Sequence, residues 1–185
     1  STWLHDYAPK IRCAVLASPA FKVKLYVPFA RQGLALWSKV KGNFFVNSYV
    51  KAHYLTHNKA RQEGFNQDPL ITRAISARIL LGLYEAAERV VADAQAITTP
   101  IQLFISGADW VVHHKPQHDF YNHLGSHIKE RHVMPGFYHD TLGEQNNHLV
   151  FEPMRRFIRE RFEEPLQTID CTQAHIAGLS RVEAD

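Results

Sequence analysis

Two short segments of this 185-residue chain carry residue types suited to acid–base chemistry. One reads Ile101-Gln-Leu-Phe-Ile-Ser-Gly-Ala-Asp109-Trp and the other Met134-Pro-Gly-Phe-Tyr-His139-Asp. Each begins as a strand, or the exit from one, and delivers a single polar residue into a loop. Histidine alone titrates near neutral pH without help, and a carboxylate beside it selects the ring tautomer and favours the charged form. Asp109 and His139 are therefore the candidate catalytic acid and base of a Ser-His-Asp hydrolase, which uses its groups in the chain order nucleophile, acid, base. The nucleophile is not evident. None of the eight serines, Ser1, Ser18, Ser38, Ser48, Ser76, Ser106, Ser126 and Ser180, sits in a G-x-S-x-G turn. The chain reads as the back half of an enzyme.

Delivering both side chains to one place requires a parallel sheet. Ile11 to Ala17 is apolar at almost every position, which suits a strand buried on both faces, and Ser18-Pro19 breaks it. Before it, residues 1 to 9 read as a helix end stopped by Pro9. Residues 20 to about 92 hold no second convincing strand. Ser76 to Ala94 has Ile79, Leu80, Leu83, Ala86, Ala87 and Val90 at helical spacing. Further strands are expected over 101–105 and 128–133, with a helix over 116–124 turning Phe120, Tyr121 and Leu124 inward. Leu149, Phe151, Met154, Phe157, Ile158 and Phe162 mark the inner face of a final helix. The fold class is α/β with right-handed crossovers, interrupted by a mostly helical cap. Its parts are a core strand–helix remnant (1–19), the cap (20–94), a second core portion with acid and base (95–164) and a linker or tail (165–185).

Composition excludes several classes. Hydrophobic residues make up 45% and charged residues 21%, as in an ordinary globular protein. The longest uncharged stretch, Ala94 to Ala108, is too short and too polar to cross a membrane as a helix. Ser-Thr-Trp-Leu-His-Asp lacks the basic start and apolar core of a signal peptide, and without an initiator Met it is not expected to be the natural N-terminus. Cys13 and Cys171 make no disulfide framework, so a reducing, cytoplasmic location is expected, at most peripheral to a membrane. His114 and His118 stand one helical turn apart, but no Glu follows the first and no third ligand is apparent. Neither a metal nor any other cofactor is expected.

Net charge is only +3, yet Tyr7 to Gln62 holds ten Lys or Arg and no Asp or Glu. In the same stretch Phe21, Tyr26, Phe29, Trp37, Phe44, Phe45, Tyr49 and Tyr54 interleave with the cations. Amphipathic rings beside cations suit peripheral docking on an anionic membrane. Such a composition also suits nucleic acid. The plainest alternative makes the rings cap core and the lysines its solvated skin. Membrane is the expected partner, and nucleic acid is not.

With these residues in place, the chain resembles the serine α/β-hydrolases of the lysophospholipase and monoacylglycerol lipase group, the serine aminopeptidase family. The resemblance is carried by Leu16-Ala-Ser-Pro, Asp68-Pro-Leu-Ile, Ile105-Ser-Gly-Ala-Asp109 and Gly136-Phe-Tyr-His139, and spans about residues 10 to 162. It implies a partial α/β-hydrolase fold, an acyl-ester lipid substrate and a nucleophilic serine some ten residues before Ser1. The chain alone is then expected to be inactive. Peptide-cleaving relatives remain an alternative, as do dehalogenases and epoxide hydrolases with an Asp nucleophile. A non-catalytic basic module that binds membrane or nucleic acid remains another. His132 and His148 are secondary candidates for the base, while Asp140, adjacent to His139, reads as a loop residue. Some similar bacterial proteins continue into a methyltransferase domain, and residues 166–185 are the expected place for such a fusion to begin.

Overall fold

The computed structural model describes residues 1–24 and 29–164. Tyr26, Cys171 and the expected tail at 165–185 lie outside the described residues. The chain opens with α1 (Thr2–Tyr7), which ends where Ala8 turns left-handed (φ 39°) ahead of Pro9. After β1 (Ala14–Ala17) it enters the cap, formed by α2 (Ala30–Lys41), β2 (Phe45–Asn47), α3 (Lys59–Gln67), β3 (Ala74–Ser76) and α4 (Ala77–Ala92). It then returns to the core through β4 (Ile101–Ser106), α5 (His114–His123), β5 (Lys129–Met134) and α6 (His148–Glu163).

The core sheet has the order β1-β4-β5, with both pairings parallel. Side chains alternate across a strand, and β4 uses both sides. Ile101, Leu103 and Ile105 enter one apolar cluster with Leu4 of α1, Val90 of α4 and Phe120 of α5. Phe104 enters the other, with Met134, Phe137 and Val150 of α6. Every residue of β4 is buried, as a central strand between two helical layers must be. Burying each such Leu, Ile or Phe side chain contributes about 1.5–3 kcal/mol, so β4 is the most firmly held platform available to a site at its end.

Several sequence expectations need correction. The cap contains a small antiparallel ribbon in which Phe45 faces Ser76 and Asn47 faces Ala74. Each of its strands is three residues long, too short for an alternating pattern to be visible. β1 is half-buried rather than buried on both faces, since among the described residues only β4 pairs with it. α4 buries Ala77, Tyr84, Ala87 and Val90 but exposes Ile79 and Leu83. α6 buries Val150 and Phe157 and leaves Leu149, Ile158 and Phe162 exposed. Both helices carry apolar residues on more than one side, so periodicity alone does not choose the inward face. α5 begins two residues before the expected Pro116, with Phe120 and Leu124 buried and Tyr121 half-buried against the core.

Candidate active site

The Asp109 loop leaves β4 through a tight passage. A Cβ on Gly107 would stand 3.0 Å from the Met134 carbonyl oxygen and 3.2 Å from Pro135 Cα, so glycine is what lets the exits of β4 and β5 lie side by side. Gly107 N donates to Met134 O at 2.8 Å and Ala108 N to Phe137 O at 2.9 Å, which zips the two loops together. Pro135 and Gly136, the latter at φ 76°, then turn the second loop toward His139.

The side chain of Asp109 is fully buried. Its Oδ1 accepts from the backbone N–H groups of Val111 (2.7 Å) and Val112 (3.0 Å), and its Oδ2 accepts from His139 Nδ1 at 2.8 Å. Burial pushes the Asp109 carboxyl up, but the His139 ring and the two backbone donors outweigh it and hold the group below its ordinary value. An ionised carboxylate only accepts, so the ring proton sits on Nδ1 and the lone pair on Nε2. Nε2 has no hydrogen-bond partner among the described residues, and the His139 side chain keeps 24% of its surface exposed. This arrangement can hold a proton acceptor ready for a hydroxyl and stabilise the imidazolium that results.

Other groups near the pair were not evident from sequence. Ser18 at the end of β1 (φ 41°), Ser106 at the end of β4 and Thr141 are all buried. Their hydroxyls connect through Thr141 Oγ1, 2.8 Å from Ser18 Oγ and 2.9 Å from Ser106 Oγ. The Lys24 ammonium donates to the Asp109 backbone carbonyl. Glu144 lies buried behind the His139 loop and accepts from Tyr138 N at 2.9 Å. Ser18 and Ser106 fall within two of the motifs quoted above, but nothing local in the sequence shows that they meet Thr141, because these partners come from distant segments.

The remaining candidates lie elsewhere. His132 Nε2 lies 3.1 Å from Glu130 Oε2, and its ring stacks on Phe104 with centroids 4.9 Å apart. His148 begins α6. Asp140 caps the following turn by accepting from Gly143 N and pairs with Arg61 at 3.2 Å. Among the described residues no three His, Cys, Asp or Glu side chains converge as a metal site, and no helix is long and apolar enough to cross a membrane.

The profile of the family described as serine aminopeptidase, S33 matches residues 1–146, which include Asp109 and His139. An Escherichia coli K12 protein described as uncharacterized protein YnbC is 58% identical over 180 residues, covering 97% of this chain and 31% of its own length. The crystal structure of a monoacylglycerol lipase from Paleococcus ferrophilus superposes with a TM-score of 0.78 at 17% identity, covering 86% of this chain and 63% of the lipase. A soluble variant of the Saccharomyces cerevisiae monoglyceride lipase, solved with a substrate analog, gives 0.72 at 16% identity, over 82% and 54%. The chain thus spans less than two thirds of each of these proteins. The architecture is a partial α/β-hydrolase fold, and the chain belongs to the serine aminopeptidase S33 family.

Proposed function

We propose that this chain supplies the acid, Asp109, and the base, His139, of a serine hydrolase that cleaves carboxylic esters of the monoacylglycerol or lysophospholipid type. The nucleophilic serine lies N-terminal to Ser1, and residues 1–185 alone turn over no ester. The observation that carries this reading is the 2.8 Å contact between His139 Nδ1 and a buried, ionised Asp109, with Nε2 left to accept a proton. As the serine hydroxyl attacks the ester carbonyl, Nε2 takes its proton and later returns it to the leaving alcohol. Water repeats the sequence to release the acid. The names of the two lipases that share the fold support the substrate class.

The cap is the proposed contact with the membrane surface from which such substrates are drawn. Phe29, Leu36, Trp37 and Val40 are exposed at helical spacing on or beside α2, and Lys39 and Lys41 lie in its last turn. The protein is accordingly read as cytoplasmic and peripheral to an anionic bilayer, with no nucleic acid among its partners. A further domain fused C-terminally is part of the proposal, and the E. coli relative, of which the chain covers 31%, is long enough to hold one.

The test expresses the complete coding sequence and follows hydrolysis of p-nitrophenyl butyrate and of a monoacylglycerol. Turnover that falls about 10⁴-fold or more in His139→Ala supports the reading. Faster turnover of aminoacyl amides than of esters would move the substrate class to peptides.

A further inference from the structure

Glu144 is a buried carboxylate with four donors around it and, among the described residues, no ion pair to Lys or Arg. Oε1 accepts from Tyr138 N (2.9 Å) and His57 Nδ1 (3.0 Å). Oε2 accepts from His57 N (3.0 Å) and from the Thr56 hydroxyl (3.1 Å), whose proton is shared with the Gly143 carbonyl at the same distance. Thr56 and His57 belong to the cap, whereas Tyr138 immediately precedes His139. On the other side of His139, Asp140 N donates to Leu55 O at 2.8 Å. The His57 ring also lies against Tyr138, with centroids 3.8 Å apart. Both chain neighbours of His139 are therefore fastened to one cap segment, Leu55 to His57, and Glu144 makes most of those bonds.

We propose that Glu144 is a positioning residue: its carboxylate clamps the Thr56–His57 segment of the cap to the backbone of Tyr138 and so fixes His139 against Asp109. This rests on the reading of Asp109 and His139 as acid and base. Only a carboxylate suits the place, because each oxygen faces two donors. A glutamine there would turn an NH₂ group toward two N–H or O–H groups and break the clamp on one side. A displacement of the base by a fraction of an ångström to about 1 Å lowers the rate of proton transfer, whereas Glu144, buried and with both oxygens taken by protein donors, offers no group for binding the ester. Cap and base are thereby tied through one set of hydrogen bonds.

The experiment compares wild type, Glu144→Gln, Thr56→Val and His139→Ala in the complete protein. It reads kcat and KM on p-nitrophenyl butyrate and the low-field proton resonance of His139 Nδ1, which His139→Ala identifies by its loss. The proposal expects kcat of Glu144→Gln to fall about 10- to 100-fold with KM within about twofold, and the low-field proton to shift or broaden. Thr56→Val removes the hydroxyl's bonds to Glu144 and to the Gly143 carbonyl but keeps the donors from Tyr138 and His57 to Glu144, so its kcat should fall in the same direction by less. A folded Glu144→Gln protein with unchanged kcat, or with only KM raised, overturns the proposal. Should Glu144→Gln fail to fold, Thr56→Val decides, and an unchanged rate in it is contrary. Should His139→Ala retain wild-type turnover, the acid–base reading fails. The clamp is then judged by the proton resonance alone: one unchanged in Glu144→Gln overturns it, and one shifted or lost supports it.

Discussion

Asp109 divides its carboxylate, giving Oδ1 to the backbone of Val111 and Val112 and Oδ2 to His139 Nδ1 at 2.8 Å. The backbone donors fix the rotamer, so the oxygen that meets the ring is already aimed. Asp109→Asn keeps an oxygen for the two backbone donors and turns its NH₂ toward His139. The ring proton is then driven to Nε2, where the proposed general base needs a lone pair. In the complete protein we expect ester kcat to fall about 10⁴-fold while the far-UV circular dichroism stays unchanged. Ester turnover within tenfold of wild type would contradict the assignment.

Glu144 should leave its mark on the pH dependence of stability. Burial pushes its carboxyl up, but the bonds from Tyr138 and His57 prevail and leave it below the ordinary 4.5. The unfolded chain therefore takes up the proton first as pH falls. The stabilisation is complete above pH 4.5 and is lost progressively below it. Glu144→Gln should lower stability by about 1–3 kcal/mol near neutral pH, the scale of leaving buried donors unpaired. Urea unfolding of both proteins between pH 7 and pH 3 should show the gap closing below 4.5. A gap independent of pH would count against an ionised Glu144.

The opposite sign applies to His5, in the last turn of α1. Its ring lies 2.7 Å from Asp6 and 3.0 Å from Asp93, which ends α4, and these bonds raise its pKa above the ordinary 6.5. Its contribution is complete below 6.5 and is lost as pH rises through the folded-state value. An NMR titration should place the His5 midpoint above 6.5 in the native protein and lower in Asp93→Asn. A native midpoint at or below 6.5 would contradict the bridge.

The cap prediction concerns α2. Leu36, Trp37 and Val40 are 67%, 54% and 78% exposed, so most of their apolar surface faces solvent. Flotation with vesicles containing phosphatidylserine should exceed that with neutral vesicles at low salt and decline as salt is added. Trp37→Ser should weaken it. Equal flotation on both vesicle types would remove the docking surface.

That Asp109 and His139 meet was legible in the sequence because each follows an apolar run and a nearby Gly, a local pattern that survives without structural knowledge. β4 and α5 were legible for the same reason, being long and strongly patterned. The clamp was not. Glu144 meets Thr56 and His57 across 88 and 87 residues, and no spacing rule joins a cap turn to a loop after the last core strand. The cap ribbon of Phe45–Asn47 and Ala74–Ser76 was hidden by its length, and the inner faces of α4 and α6 by apolar residues on both sides of each helix.

The proposal that His139 activates a serine N-terminal to Ser1 can be put to trial by labelling the complete protein with a fluorophosphonate probe and mapping the modified peptide. We expect a single labelled serine N-terminal to Ser1, with labelling abolished in His139→Ala. Absence of labelling in an otherwise folded wild-type protein, or labelling that His139→Ala leaves untouched, would contradict it.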